Sequence, residues 1–133
     1  MSVDKIKMYI LFFISFHLSS VLYGQGDVIN EAKLAIKAGS SKELIKYFNE
    51  SVELGIDGEN VNYSKTQAEF VLKDFFKKYP PTDCVYIHQG SSPEGSKYAI
   101  GKYSHSTGSF RIFMLIKQVR GEYVIDRLDF GEE

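Results

Sequence analysis

The sequence predicts an α+β domain in which helices come first and a run of antiparallel strands follows. Three observations carry that prediction. Ser64 to Pro81 reads as one capped amphipathic helix with a hard stop. Between Asp27 and Phe48 the apolar residues recur at helical spacing, whereas beyond Pro81 they fall into short strand-like runs. Those runs are joined by links too short for parallel crossovers, which makes them an antiparallel meander.

The elements follow in order. Residues 1–24 have the anatomy of a secretory signal peptide: Lys5 and Lys7 form a basic start, Met8 to Phe16 is apolar, and His17 to Gly24 is mixed and ends in a small residue. The apolar run is short for a membrane span. Cleavage is expected after Gly24, with an uncleaved anchor as the alternative. No cysteine lies near the cut, which leaves out a lipoprotein anchor. The expected mature chain is a single domain of residues 25–133, periplasmic or secreted, with no membrane span. Losing Asp4, Lys5 and Lys7 makes it one unit more negative than the whole chain's −1.

Asp27 to Ala38 reads as a first helix, with Val28, Ile29, Ala32, Ala35 and Ile36 inward and Gly39 as its stop. Ser40 and Glu43 have capping-box spacing and open a second helix, Lys42 to Phe48. The period then changes to two: Val52, Leu54 and Ile56 alternate with Glu53, Gly55 and Asp57. Asp57-Gly58 is a hairpin signal, and Asn60 to Tyr63 is the return strand.

In the long helix, Ser64 and Gln67 form a second capping box. Ala68, Val71, Leu72, Phe75, Phe76 and Tyr79 make a wide apolar stripe. Lys77 and Lys78 suit the C-terminal end of the helix dipole, and Pro80-Pro81 ends the helix. Phe70 falls on the polar side. Four strands are expected after it: Cys84 to Gln89, Lys97 to Ser104, Ser109 to Val119 and Tyr123 to Phe130.

The third of these strands is apolar on both faces, with Phe110, Ile112, Met114 and Ile116 on one side and Phe113 and Leu115 on the other. A sheet with one wet face should alternate. The strand is therefore central, and Phe113 and Leu115 are candidate dimer-interface residues, because a domain this small has few elements left to cover them.

Composition and motifs exclude several classes. A near-neutral charge without a basic block speaks against nucleic acid. Cys84 stands alone and reads as a buried strand residue. Gly95 to Gly101-Lys102 imitates a phosphate-binding loop, but it is one residue too long and Tyr103 replaces the Ser or Thr that would hold magnesium. A zinc site is not expected, since Cys84 and His88 lie roughly 13 Å apart along a strand. Ser104-His105 face opposite ways and make no triad. Nothing specifies a cofactor. The sequons at Asn49 and Asn62 carry no weight without a host that glycosylates.

Three stretches carry a family resemblance: Tyr63 to Ala68 with Phe75-Phe76 downstream, Tyr98-Ala99-Ile100-Gly101, and Gly108 to Ile112 followed by Tyr123 to Leu128. Together with the order α-α-β-β-α-β-β-β-β they resemble short exported Bacteroidetes proteins, the domain of unknown function 4783, within the nuclear-transport-factor-2-like (cystatin-like) superfamily. The resemblance covers nearly all of residues 25–133. It implies a roll: a curved antiparallel sheet packed on helices, with a conical cavity at one end. Relatives use that cavity for isomerases, dehydratases and ligand carriers, or fill it and dimerise. Isomerase-type proton transfer needs a carboxylate base and a donor such as tyrosine in a dry pocket. Asp57, Tyr63, Tyr86, His88, Tyr98 and Asp126 are the candidate lining residues, and Tyr86 and His88 are expected on one strand face.

The leading expectation is a non-catalytic exported binding or interaction domain that forms a homodimer. One alternative is a cavity enzyme acting by acid–base chemistry on a small apolar or aromatic molecule. Another is a structural partner in a cell-envelope assembly.

Overall fold

In the computed structural model, which describes residues 27–133, Asp27 opens the first element by accepting the Ile29 N–H at 3.0 Å. The expected signal peptide and its cleavage after Gly24 lie outside the described residues. Helix α1 (Val28–Lys37) buries Ile29, Ala32, Ala35 and Ile36, and leaves Val28 half-buried. It ends in a Schellman motif. Gly39, at φ 65°, donates to the Ile36 carbonyl, and Ser40 donates to the Ala35 carbonyl.

Ser40 then caps α2 (Ser41–Leu44), its hydroxyl accepting the Glu43 N–H at 3.2 Å. The reciprocal half of the expected box does not form, because the Ser40 N–H is already committed to Ala35. Glu43 turns instead to Lys46 at 2.9 Å. The second helix is also shorter than expected. It tightens into a 3₁₀ turn over Ile45–Tyr47, and Phe48 starts β1 (Phe48–Ile56).

Asp57 and Gly58 have φ of 53° and 84°, the doubly left-handed turn that an Asp-Gly pair favours. The turn leads into β2 (Glu59–Ser64). Helix α3 (Lys65–Lys78) begins on a complete capping box. Ser64 Oγ accepts the Gln67 N–H at 3.3 Å, and Gln67 Oε1 accepts the Ser64 N–H at 3.1 Å. Its inward face is Ala68, Leu72, Phe75 and Phe76, flanked by half-buried Val71 and Tyr79, while Phe70 is exposed. The helix stops at Lys78, with Tyr79 turned out of the helical region before Pro80, and Pro81 is the first residue of β3 (Pro81–Ser91), an edge strand where a missing N–H is tolerated.

Strands β4 (Lys97–His105), β5 (Gly108–Val119) and β6 (Glu122–Glu132) complete the meander. The six strands form one curved, unclosed sheet in the order β2-β1-β6-β5-β4-β3. Four neighbouring pairs are antiparallel, and the fifth, β1 with β6, is parallel. The expectation of a wholly antiparallel sheet is corrected at that pair. Short links constrain only consecutive strands, and β1 and β6 are separated by every element between them.

Both long helices lie on one face of the sheet, α1 against β3 and α3 against β1. Beneath them Phe75 meets Phe130, Phe110 and Tyr103 with ring centroids 4.4, 5.2 and 5.5 Å away. Phe110, Ile112, Met114 and Ile116 from β5 join this core. Each such large side chain contributes about 1.5–3 kcal/mol when fully buried. The tail of α3 is tied down as well, since the Tyr103 hydroxyl donates to the Tyr79 carbonyl.

Candidate functional site

A bulge in β3 decides where the cavity candidates go. Tyr86 lies opposite Gly101 and His88 opposite Ile100, so Ile87 is an extra residue without a counterpart on β4. Regular alternation would put Tyr86 and His88 on one face. The bulge puts them on opposite faces, which corrects that expectation. Gly101 is what lets the strands close here, because a Cβ on it would lie 2.5 Å from the Val85 carbonyl oxygen.

Tyr86 faces the helices, and its hydroxyl donates to the Ile29 carbonyl at 2.8 Å. Burial first, then the neighbouring Cys84 and Asp27, push its phenol well above the ordinary range. Tyr86 therefore pins α1 to the sheet as a neutral donor. His88 lies on the helix-free face, its Nε2 2.8 Å from the Tyr98 hydroxyl. The Tyr98 ring lies across Gly90, where a Cβ would be only 2.5 Å from the ring's hydroxyl.

The remaining candidates are scattered. Asp57 is an exposed left-handed turn residue. Tyr63, opposite Val52, packs half-buried against the core. Asp126 is the extra residue of a second bulge, between the pairs Leu115/Arg127 and Ile116/Ile125. It accepts from Asn49 Nδ2 at 3.3 Å and pairs with Lys117 at 3.1 Å. Of the six candidates, the structure brings together only His88 and Tyr98, and none of the hydrogen bonds or ion pairs described joins a carboxylate to a candidate tyrosine.

The interior of the roll is apolar and uncharged. Phe75, Phe76, Met114 and Leu128 are all buried there. Burial, reinforced by Asp83 and opposed by Lys33 and Lys37, pushes the Cys84 thiol up to about 11. Burial, with Cys84 second, likewise raises the Tyr103 phenol. Among the described residues, no cluster of three or more His, Cys, Asp or Glu side chains could hold a metal ion.

Two surfaces remain. On the helix-free face the strand registers align two rows across the sheet. One row runs His88, Ile100, Phe113, Asp129, Gly55, Asn60, and the other Gly90, Tyr98, Leu115, Arg127, Glu53, Asn62. The β3–β5 half of each row is apolar or aromatic, and Val85 and Ile87 beside it are 45% and 69% exposed. The β6–β1 half is charged but internally paired. Arg127 bonds Glu53 at 3.0 Å and Asp129 at 2.8 Å, with its guanidinium 5.8 Å from the Phe113 ring centre.

The other surface is an open cleft of about 700 Å³ between the start of α1, the 3₁₀ turn and the β5–β6 hairpin. Ile29, Tyr47, Lys97, Ile116 and Tyr123 line it. The sequence reading missed Tyr47, Lys97 and Tyr123, which sit at element ends where hydrophobic periodicity carries no signal. A smaller cleft of about 410 Å³ lies at the opposite ends of the strands, with Asp57, Glu59, Asp74, Lys78 and Glu132 among its lining residues. Among the described residues, no helix is long and apolar enough to cross a membrane.

Comparison with known proteins places this geometry. A DUF4783 protein from Bacteroides ovatus is 31% identical, with a TM-score of 0.74 over 77% of this chain and 93% of that one. Its counterpart from Bacteroides uniformis is 29% identical, with a TM-score of 0.76 over 80% of this chain and 98% of that one. An NTF2-like protein of unknown function from Shewanella baltica is 12% identical, with a TM-score of 0.62 over 80% of this chain and 88% of that one. That last likeness shows the nuclear-transport-factor-2-like fold alone. No curated protein matches the sequence. The family model described as "Domain of unknown function (DUF4783)" matches residues 29–131, and the chain belongs to that family.

Proposed function

We propose that this protein is a non-catalytic, exported interaction domain that pairs with a second copy of itself through the helix-free face of its sheet. The observation that carries the reading is the apolar half of that face. Ile100, Phe113 and Leu115 sit there side by side, bordered by exposed Val85 and Ile87. A two-fold contact needs a self-complementary surface. An apolar stripe is self-complementary, and on its β6–β1 side Arg127 already holds both Glu53 and Asp129.

The sheet edges favour the face over edge-to-edge pairing. β3 is broken by its bulge, and β2 is short and mostly polar. The interior supports a non-catalytic role: the buried titratable groups are held neutral, and the core is filled by aromatic rings.

Sedimentation velocity tests the proposal. The protein should sediment as a dimer at micromolar concentration, and Phe113→Lys with Leu115→Lys should give a folded monomer. A parent protein that stays monomeric up to roughly millimolar concentration, where even weak association would show, would count decisively against it.

A further inference from the structure

We propose that the cleft beside α1 binds a small aromatic carboxylate, with Lys97 as the cation that takes the carboxylate. The floor is apolar: Ile116 is fully buried and Ile29 nearly so. Half-buried Tyr47 and Tyr123 supply ring walls. A volume of about 700 Å³ is ample for a single-ring molecule.

Lys97 is the decisive residue. It lies directly opposite Ile116 and continues the alternation of Ala99, Gly101 and Tyr103, so it stands on the helix-side face. Its ammonium rests 4.2 Å from the Tyr123 ring centre and makes no ion pair among the described residues. A cation laid on an aromatic wall above an apolar floor is desolvated on one side, and a ligand carboxylate would complete its shell.

The other charges of the cleft are otherwise placed. Lys46 is paired with Glu43, Asp27 Oδ1 accepts the Ile29 N–H, and Glu122 is exposed on the hairpin. Lys97 is the charge that lies on the aromatic wall directly above the apolar floor. The aromatic part of a ligand would stack on Tyr123 or Tyr47 while its carboxylate met Lys97.

Phenylacetate and 2-phenylethylamine share a skeleton and differ in charge, which makes them suitable probes for titration calorimetry and NMR. Phenylacetate should bind and shift resonances of Tyr47 and Tyr123. The amine should bind at least about tenfold more weakly, and Lys97→Met should weaken phenylacetate by about the same factor. If Lys97→Met proves unfolded by its thermal midpoint, the unmodified protein decides the matter. Its affinity for phenylacetate should fall between about 0.02 and 0.3 M salt as screening grows. No phenylacetate binding, equal binding of the amine, an unchanged affinity in folded Lys97→Met, or salt-independent binding would each overturn the assignment.

Discussion

Gly101 and Arg120 are two positions where a single side chain meets a backbone constraint from opposite directions. At Gly101 an added methyl would meet a backbone carbonyl, and backbone cannot swing aside as a side-chain tip can. Gly101→Ala is expected to destabilise the protein by about 1–3 kcal/mol, which urea denaturation would register as a lower midpoint at constant slope. Arg120 and Gly121 form the β5–β6 turn at φ of 52° and 81°. An arginine in that left-handed position is strained where an asparagine is not. Arg120→Asn should therefore raise stability by about 1 kcal/mol, and a thermal midpoint equal to or below the parent's would contradict the turn geometry described.

At the scale of elements, what the sequence revealed depended on whether the signal was local. The Ser64–Gln67 box, the Gly39 stop and the Asp57-Gly58 turn rest on side chains acting on their own backbone, and each appears where its residues predicted. Ser64→Ala should remove about 1 kcal/mol through the lost cap, measurable as a reduced melting temperature with an unchanged far-ultraviolet spectrum. The bulges at Ile87 and Asp126 had no such signal, because an extra residue is defined by the register of a partner strand. That is why regular alternation predicts one face for Tyr86 and His88, while the two side chains occupy opposite faces. The Ser40 box failed for a related reason, since its backbone donor was claimed by the preceding helix. The candidate site was correspondingly less legible than the fold. Phe113 and Leu115 stood out through doubled hydrophobicity, whereas Lys97, Tyr47 and Tyr123 meet only through tertiary packing.

At the scale of the whole molecule, the buried acids make stability depend on alkaline pH. Cys84, Tyr86 and Tyr103 all have raised pKa values in the folded state, chiefly from burial. A raised value means that the folded chain keeps protons the unfolded chain would release, so stability must fall as pH rises. The loss begins near the thiol's ordinary 9.0 and runs to about 11 through Cys84. The two tyrosines add to it from their ordinary 10.0 upward. Below that window these three groups contribute no slope. Thermal midpoints should be level with respect to them near neutrality and decline above about pH 9, and Cys84→Ala should remove the earliest part of the decline. A midpoint that holds steady through pH 11 would refute the assigned burial.

The parallel pairing of β1 with β6 has a consequence for how the chain assembles. β6 lies between the β1–β2 hairpin and the β5–β4–β3 meander, and among the described residues it is the only strand that touches both. During synthesis those two blocks are complete before β6 emerges, yet neither can dock on the other side of the sheet without it. The contact between Glu53 and Arg127 closes a loop that encloses α3 and four strands, β2 to β5. Such long-range closure slows folding and makes it cooperative. The meander must therefore wait, its β5 edge unpaired, until its keystone strand arrives.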